Sequence, residues 1–122
     1  VLDAGALVAI ERGDRDMIGR LRIAHRRGEE VVTHGGVVGQ VWRDGRRQAR
    51  LAAALRGIDV RPLDEELGRR AGSLLAAAGG GDAVDAAVAL LARDGDRITT
   101  SDPDDLLALV VATGLDVELR TV

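Results

Sequence analysis

Three aspartates far apart in the chain stand where side chains commonly meet a ligand: Asp3 after Val1-Leu2, Asp82 after Gly79-Gly80-Gly81, and Asp102 after Ile98-Thr99-Thr100-Ser101. Asp105 follows in the same Asp-Pro-Asp-Asp-Leu segment, and Asp85 lies about one helical turn beyond Asp82. A few carboxylates with water left in the shell suit hard, oxygen-ligated cations such as Mg²⁺ or Mn²⁺. A cation held this way orients and deprotonates a water molecule while it neutralises charge on a phosphate. Taken singly, each acid has a simpler role: Asp82 as a helix cap, Asp102 as a turn residue ahead of Pro103, Asp3 as a charge on a strand edge. Taken together, the three favour a site.

The remaining chemistry-bearing residues narrow the choice. There is no Cys, which removes disulfides, thiol catalysis and Cys-ligated zinc at once. His25 is expected in an Arg-rich exposed turn, and His34 in a glycine loop; neither is expected to be catalytic. Thr100 and Ser101 are candidates for hydrogen-bonding a phosphate or a water molecule, but strand-end and turn roles explain them equally well. Ser101 has no His in a recognisable partner position, so nucleophilic catalysis is not expected. Gly35-Gly36 and Gly79 to Gly81 carry neither the Lys-Ser/Thr ending of a phosphate loop nor a dinucleotide fingerprint, and read as turns. Every one of the 17 basic residues is Arg, and a receiver or aspartyl-phosphate phosphatase would need a buried Lys and a paired Asp that this chain lacks.

These acids must be positioned by a scaffold, and the sequence predicts one of alternating short strands and helices. Val1 to Asp3 reads as the end of a strand, expected to be cut short by missing leading residues, and Ala6 to Ile10 as the start of a helix. Asp14 caps a second helix, with Met17, Leu21 and Ala24 at helical spacing, that Gly28 closes. Strands follow at Val31 to Thr33, Ile58 to Val60, Arg97 to Thr100 and Val117 to Leu119. Val37, Val38, Val41, Trp42, Leu51 and Leu55 form one stripe of a long helix, with Arg43, Arg46, Arg47 and Arg50 on its other face. Further helices are expected from about Glu65 to Ala78 behind Asp64, from Asp82 to about Arg93, and from Asp104 to Ala112 before Gly114. Such alternation implies right-handed crossovers and a three-layer α/β/α sandwich with a short parallel sheet, folded as a single domain over residues 1–122. In such sheets ligands bind beyond the carboxyl ends of the strands, where Asp3 and Asp102 fall.

Composition sets outer bounds. The core is expected to be aliphatic, because Trp42 is the lone Trp in a chain without Phe or Tyr, and it is read as core on the apolar face with Val38. The formal charge of −3 argues against electrostatic wrapping of nucleic acid, yet a carboxylate pocket makes a nuclease acidic while arginines meet its substrate. Arg43, Arg46, Arg47 and Arg50 have the spacing of a basic strip for RNA phosphates; a solvated face, or a surface for a partner's acids, accounts for them equally well. No apolar run is long enough for a membrane span and no export signal is visible, so the cytoplasm is the expected compartment.

Three segments carry a resemblance: Val-Leu-Asp-Ala-Gly-Ala-Leu-Val-Ala at 1 to 9, Asp-Ala-Val-Asp-Ala-Ala-Val-Ala at 82 to 89, and Thr-Thr-Ser-Asp-Pro-Asp-Asp-Leu at 99 to 106. In order and separation they resemble the PIN-domain family, in particular the VapC toxins of bacterial toxin-antitoxin pairs. The resemblance implies a Mg²⁺- or Mn²⁺-dependent endoribonuclease that leaves 5′-phosphate and 3′-hydroxyl ends. It also implies inhibition by a small antitoxin whose tail enters the acidic pocket, and a homodimer. Carried over to this chain, Asp3 is the first metal ligand, Asp82 the third and Asp102 the fourth, with Asp105 auxiliary. Asp85, in Asp-Ala, fits the same helix start as Asp82. The second acidic position, a Glu in the family, falls on Gln40, whose neutral amide offers one carbonyl oxygen and would hold a second cation less tightly. A non-cleaving domain of the same fold that binds RNA or a protein partner is the alternative that Gln40 keeps open.

Overall fold

The first three residues are the hub of the structure, a computed structural model that describes all 122 residues. On one side the Val1 nitrogen donates to the Arg97 carbonyl, Thr99 N–H to Val1 and Asp3 N–H to Thr99; on the other, Leu2 N–H donates to Val32. The Thr33 hydroxyl adds a buried hydrogen bond of 2.8 Å to the Leu2 carbonyl. Val1 to Asp3 thus runs between two parallel strand pairs. In one, β1 (Val32–His34) pairs with β2 (Asp59–Arg61); in the other, β3 (Arg97–Thr100) pairs with β4 (Glu118–Thr121). Strands that run the same way end at the same edge, so Asp3, His34 and Thr100 come together there.

Seven helices complete a mixed α/β fold with two short parallel sheets. Helix α1 (Ala4–Glu11) packs on α2 (Arg15–Arg26), α3 (Gly35–Val41), α4 (Ala49–Leu55) and β3. A second group, α5 (Glu65–Ala78), α6 (Ala83–Leu91) and α7 (Pro103–Thr113), packs mutually, with α6 against β1 and α7 against β4. The apolar positions between these groups are aliphatic and fully buried at Leu7, Leu51, Ile98, Leu106 and Leu109, each stabilising the fold by about 2 kcal/mol. No helix is long and apolar enough to cross a membrane.

Local sequence accounts for most helix limits. Asp14 accepts from Met17 N–H and Asp64 from Leu67 N–H, each filling an orphan donor of a first turn. Gly79 and Gly114 end α5 and α7 in the left-handed conformation that a side chain would strain. Gly5 has a different task. A Cβ there would lie 2.6 Å from the Ser101 backbone nitrogen, so only glycine lets α1 approach the turn after β3.

Two expectations are corrected. The long second helix is broken: α3 ends at Val41, Trp42 turns extended at ψ 134°, and α4 starts only at Ala49. The cause is Gln48, 5% exposed, whose Oε1 accepts from Arg43 and Asp44 N–H while its Nε2 donates to the Val41 carbonyl. This side chain supplies the hydrogen bonds that another turn of helix would have made. Arg43, Arg46 and Arg47 therefore lie on the intervening turn and Arg50 on α4, not in one helical strip. His34, expected in a glycine turn, is instead the last residue of β1 and wholly buried, and Gly35 and Gly36, read as that turn, form the first turn of α3.

Replacing Gln48 by Ala is expected to strand three backbone groups and to lower stability by about 2 kcal/mol. Urea unfolding measures this; an unchanged midpoint would show that the turn does not depend on the amide.

Candidate active site

The shared edge of the strands gathers aspartates because three helices begin there, each with an aspartate at its N-cap. Asp3 caps α1, with Oδ1 accepting from Ala4 N–H at 2.8 Å and Oδ2 from the Thr100 hydroxyl at 2.9 Å. Asp82 caps α6 through Oδ1 alone, which accepts from Val84 and Asp85 N–H, so that Oδ2 is uncommitted. Asp102 occupies the N-cap of α7 but makes no side-chain capping bond. Its own N–H donates to the Thr100 hydroxyl, which thus links Asp102 to Asp3 through one side chain.

Asp85 shows how closely these charges converge. Its pKa is raised from 3.8 to about 6, first by burial and then by repulsion from Asp3, Asp82, Asp105 and Asp102. Asp105 is also raised, chiefly by the Asp102 charge and by a hydrogen bond with that carboxyl. None of the chain's salt bridges involves any of the five acids. The helix N-termini supply positive potential there, worth a few tenths to about 1 kcal/mol for each charge. Five carboxylates with no guanidinium between them form a site that a cation would stabilise.

Fully buried His34 positions one part of this edge. Gly36 N–H donates to Nδ1 at 3.0 Å, which places the ring proton on Nε2, and Nε2 donates to the Val84 carbonyl at 3.0 Å. The imidazole thereby ties the end of β1 to the first turn of α6, between Asp82 and Asp85. Sequence reading missed this role, for which the one signal was a His directly following a β-branched strand. Gln40, at the expected second acidic position, is exposed on α3 and takes no part in the Asp3–Thr100–Asp102 network. The arginine turn likewise contributes no side chain to the cluster. His25, expected in a turn, lies instead in the last turn of α2, where it is exposed and hydrogen-bonded to the Gly57 carbonyl.

The donor chemistry fits a hard cation: oxygen ligands, uncompensated charge, and in Asp85 a carboxyl whose pKa is raised first by burial and then by its acidic neighbours. The side chains are not preset, for no three His, Asp or Glu groups already stand in a ligand arrangement. A cavity of about 570 Å³, lined by Leu2, Met17, Arg97 and Arg120 among others, includes none of the five aspartates. Nothing matches the chain among protein-family models, curated proteins or solved structures.

The raised Asp85 pKa makes stability depend on pH. Native Asp85 keeps its proton up to about pH 6 while the unfolded chain releases it near 3.8, so the native state binds more protons between these values and loses stability as pH rises through them. Asp85→Asn is expected to match the parent below about pH 4 and to exceed it above pH 6 by on the order of 1 kcal/mol, after allowance for solvent screening. Thermal unfolding across this range checks it; a difference independent of pH would dissociate the effect from Asp85 ionisation.

Proposed function

We propose that the chain is a metal-dependent endoribonuclease of the PIN type, acting as the toxin of a VapBC-type toxin-antitoxin pair. The observation that carries the reading is the convergence of Asp3, Asp82, Asp85, Asp102 and Asp105 on one strand edge without a basic partner. Asp3, Asp85 and Asp102 are the principal ligands in this reading. Asp82 caps α6 and offers its uncommitted oxygen, and Asp105 tunes Asp102. Bound Mg²⁺ or Mn²⁺ would acidify a water molecule and offset charge on the scissile phosphate.

The chain's own residues supply the rest. Thr100 fixes the Asp3 carboxylate, Gly5 brings the Ser101 turn against α1, and His34 sets the first turn of α6. Part-protonated Asp85 would give up its proton when a cation binds, so cation affinity should increase through the range around pH 6. The finer architecture, a three-layer α/β/α sandwich, belongs to the same proposal. It is supported by Val1 to Asp3 joining the two strand pairs and by the two helix groups beside them. The reading also includes an antitoxin and a homodimer. Leu107 and Val111, 54% and 69% exposed and four residues apart on α7, leave an apolar stripe suited to a protein contact.

A second reading, a non-cleaving domain that binds RNA or a protein, is favoured by the neutral, exposed Gln40. Incubation of the purified protein with mixed cellular RNA in Mg²⁺, Mn²⁺ or EDTA separates the two. Cleavage that requires the cation and falls at least about 100-fold in Asp3→Asn supports the nuclease. RNA left intact in both metals, with binding retained, supports the non-cleaving domain.

A further inference from the structure

Beside the aspartates runs a groove of about 550 Å³, lined by Ala4, Gly5, Val8, Ala9, Arg12, Gly13, Asp14 and Ser101. It opens at the Gly5–Ser101 contact, next to Asp3 and Asp102, and follows the open side of α1. Small residues at Ala4, Gly5, Val8 and Ala9 keep its floor shallow and free of long side chains. The far end carries two guanidiniums beside the Asp14 carboxylate. Arg12 is exposed and takes part in none of the chain's ion pairs. Arg50 reaches over from α4, donating to the Glu11 carbonyl at 3.3 Å and laying its guanidinium against Gly13. The Asp14 carboxylate caps α2 by accepting from Met17 N–H.

We infer that this groove carries the strand of a single-stranded RNA flanking the cleavage point, with Arg12 and Arg50 binding a backbone phosphate. The inference rests on the nuclease reading and adds to it a direction for the substrate. Along α1, nine residues separate Asp3 from Arg12, a rise of about 13 Å, enough for about two nucleotides. Charge complementarity gives each end its partner: the aspartates take a cation, and the guanidinium pair takes a phosphodiester outside the reacting centre. In this inference Arg50 would meet RNA through its place beside α1 and not through a helical strip.

The test is the binding of a fluorescent eight-nucleotide RNA to the parent, Arg12→Gln, Arg50→Gln and Val8→Phe, in EDTA so that nothing is cut, over a series of salt concentrations. Arg69→Gln on α5 is the control, because it removes the same charge at a remote exposed position. Each groove arginine variant should weaken binding about tenfold and lower the salt slope by about 0.7, while Arg69→Gln leaves both near the parent values. Val8→Phe, which fills the floor without a change of charge, should weaken binding at an unchanged slope. Equal effects of Arg12→Gln and Arg69→Gln, or a parent that does not bind the RNA, would overturn the inference. Cleavage in Mn²⁺, measured separately, tests the other premise. Groove-dependent binding without cleavage keeps the RNA track and removes the nuclease; cleavage without groove dependence does the reverse.

Discussion

The hydroxyl of Thr100 is the joint on which the acidic edge depends. It donates to Asp3 and accepts from the N–H of Asp102, so two aspartates 99 residues apart in sequence are referred to one buried atom. A hydroxyl suits this place because it can donate and accept at once, and because it brings no charge of its own. The arrangement requires β3 to lie beside the first residues of the chain. That pairing in turn requires Gly5, since any larger residue would push the Ser101 turn away from α1. A small set of close contacts thus determines where the carboxylates stand, and the aliphatic core behind them holds those contacts in place.

Electrostatically, the same edge works against folding. Carboxylates brought together in a partly desolvated place repel one another, and the response is visible in the proton that Asp85 retains toward neutral pH. Elsewhere the chain compensates its acids: Glu29 lies between Arg27 and Arg97, and Glu30 between Arg61 and Arg93. The contrast within one small domain makes the unpaired cluster informative. Arginine is plentiful but is not spent there, which leaves the edge dependent on helix N-termini and on whatever cation it meets.

Much of this was legible in the residues. Asp64 and Gly79 bracket α5, and Asp14 and Gly114 mark their helix ends, because capping is a local interaction decided by neighbouring side chains. The acids at the ends of β3 and of the first segment could be placed at one edge because parallel strands share a direction. What failed was non-local or depended on one competing side chain. The apolar stripe was carried from Trp42 to Leu51 across the polar segment Arg43 to Gln48, whose Asp44-Gly45 pair is a turn signal, and nothing local showed that Gln48 would turn inward and satisfy the backbone of residues 41 to 44. His34 was misplaced for a related reason: its two partners, Gly36 and Val84, are brought together only by the packing of α6 on β1. The preference for Asp82 over Asp85 rested on motif order alone, because both fit the motif; in the fold Asp82 is the exposed cap of α6 and Asp85 the more buried of the two.

The position of Trp42 has an optical consequence. As the single indole in a chain without Phe or Tyr, it dominates both the near-ultraviolet absorption and the intrinsic emission of the protein. It is half-buried at the break between α3 and α4, next to Gly45 and to the turn that Gln48 organises, and not at the centre of the core. Its fluorescence therefore reports first on the order of that arginine-bearing turn. Loosening of the turn and melting of the helices can then be followed as separate events, the first by emission and the second by far-ultraviolet circular dichroism.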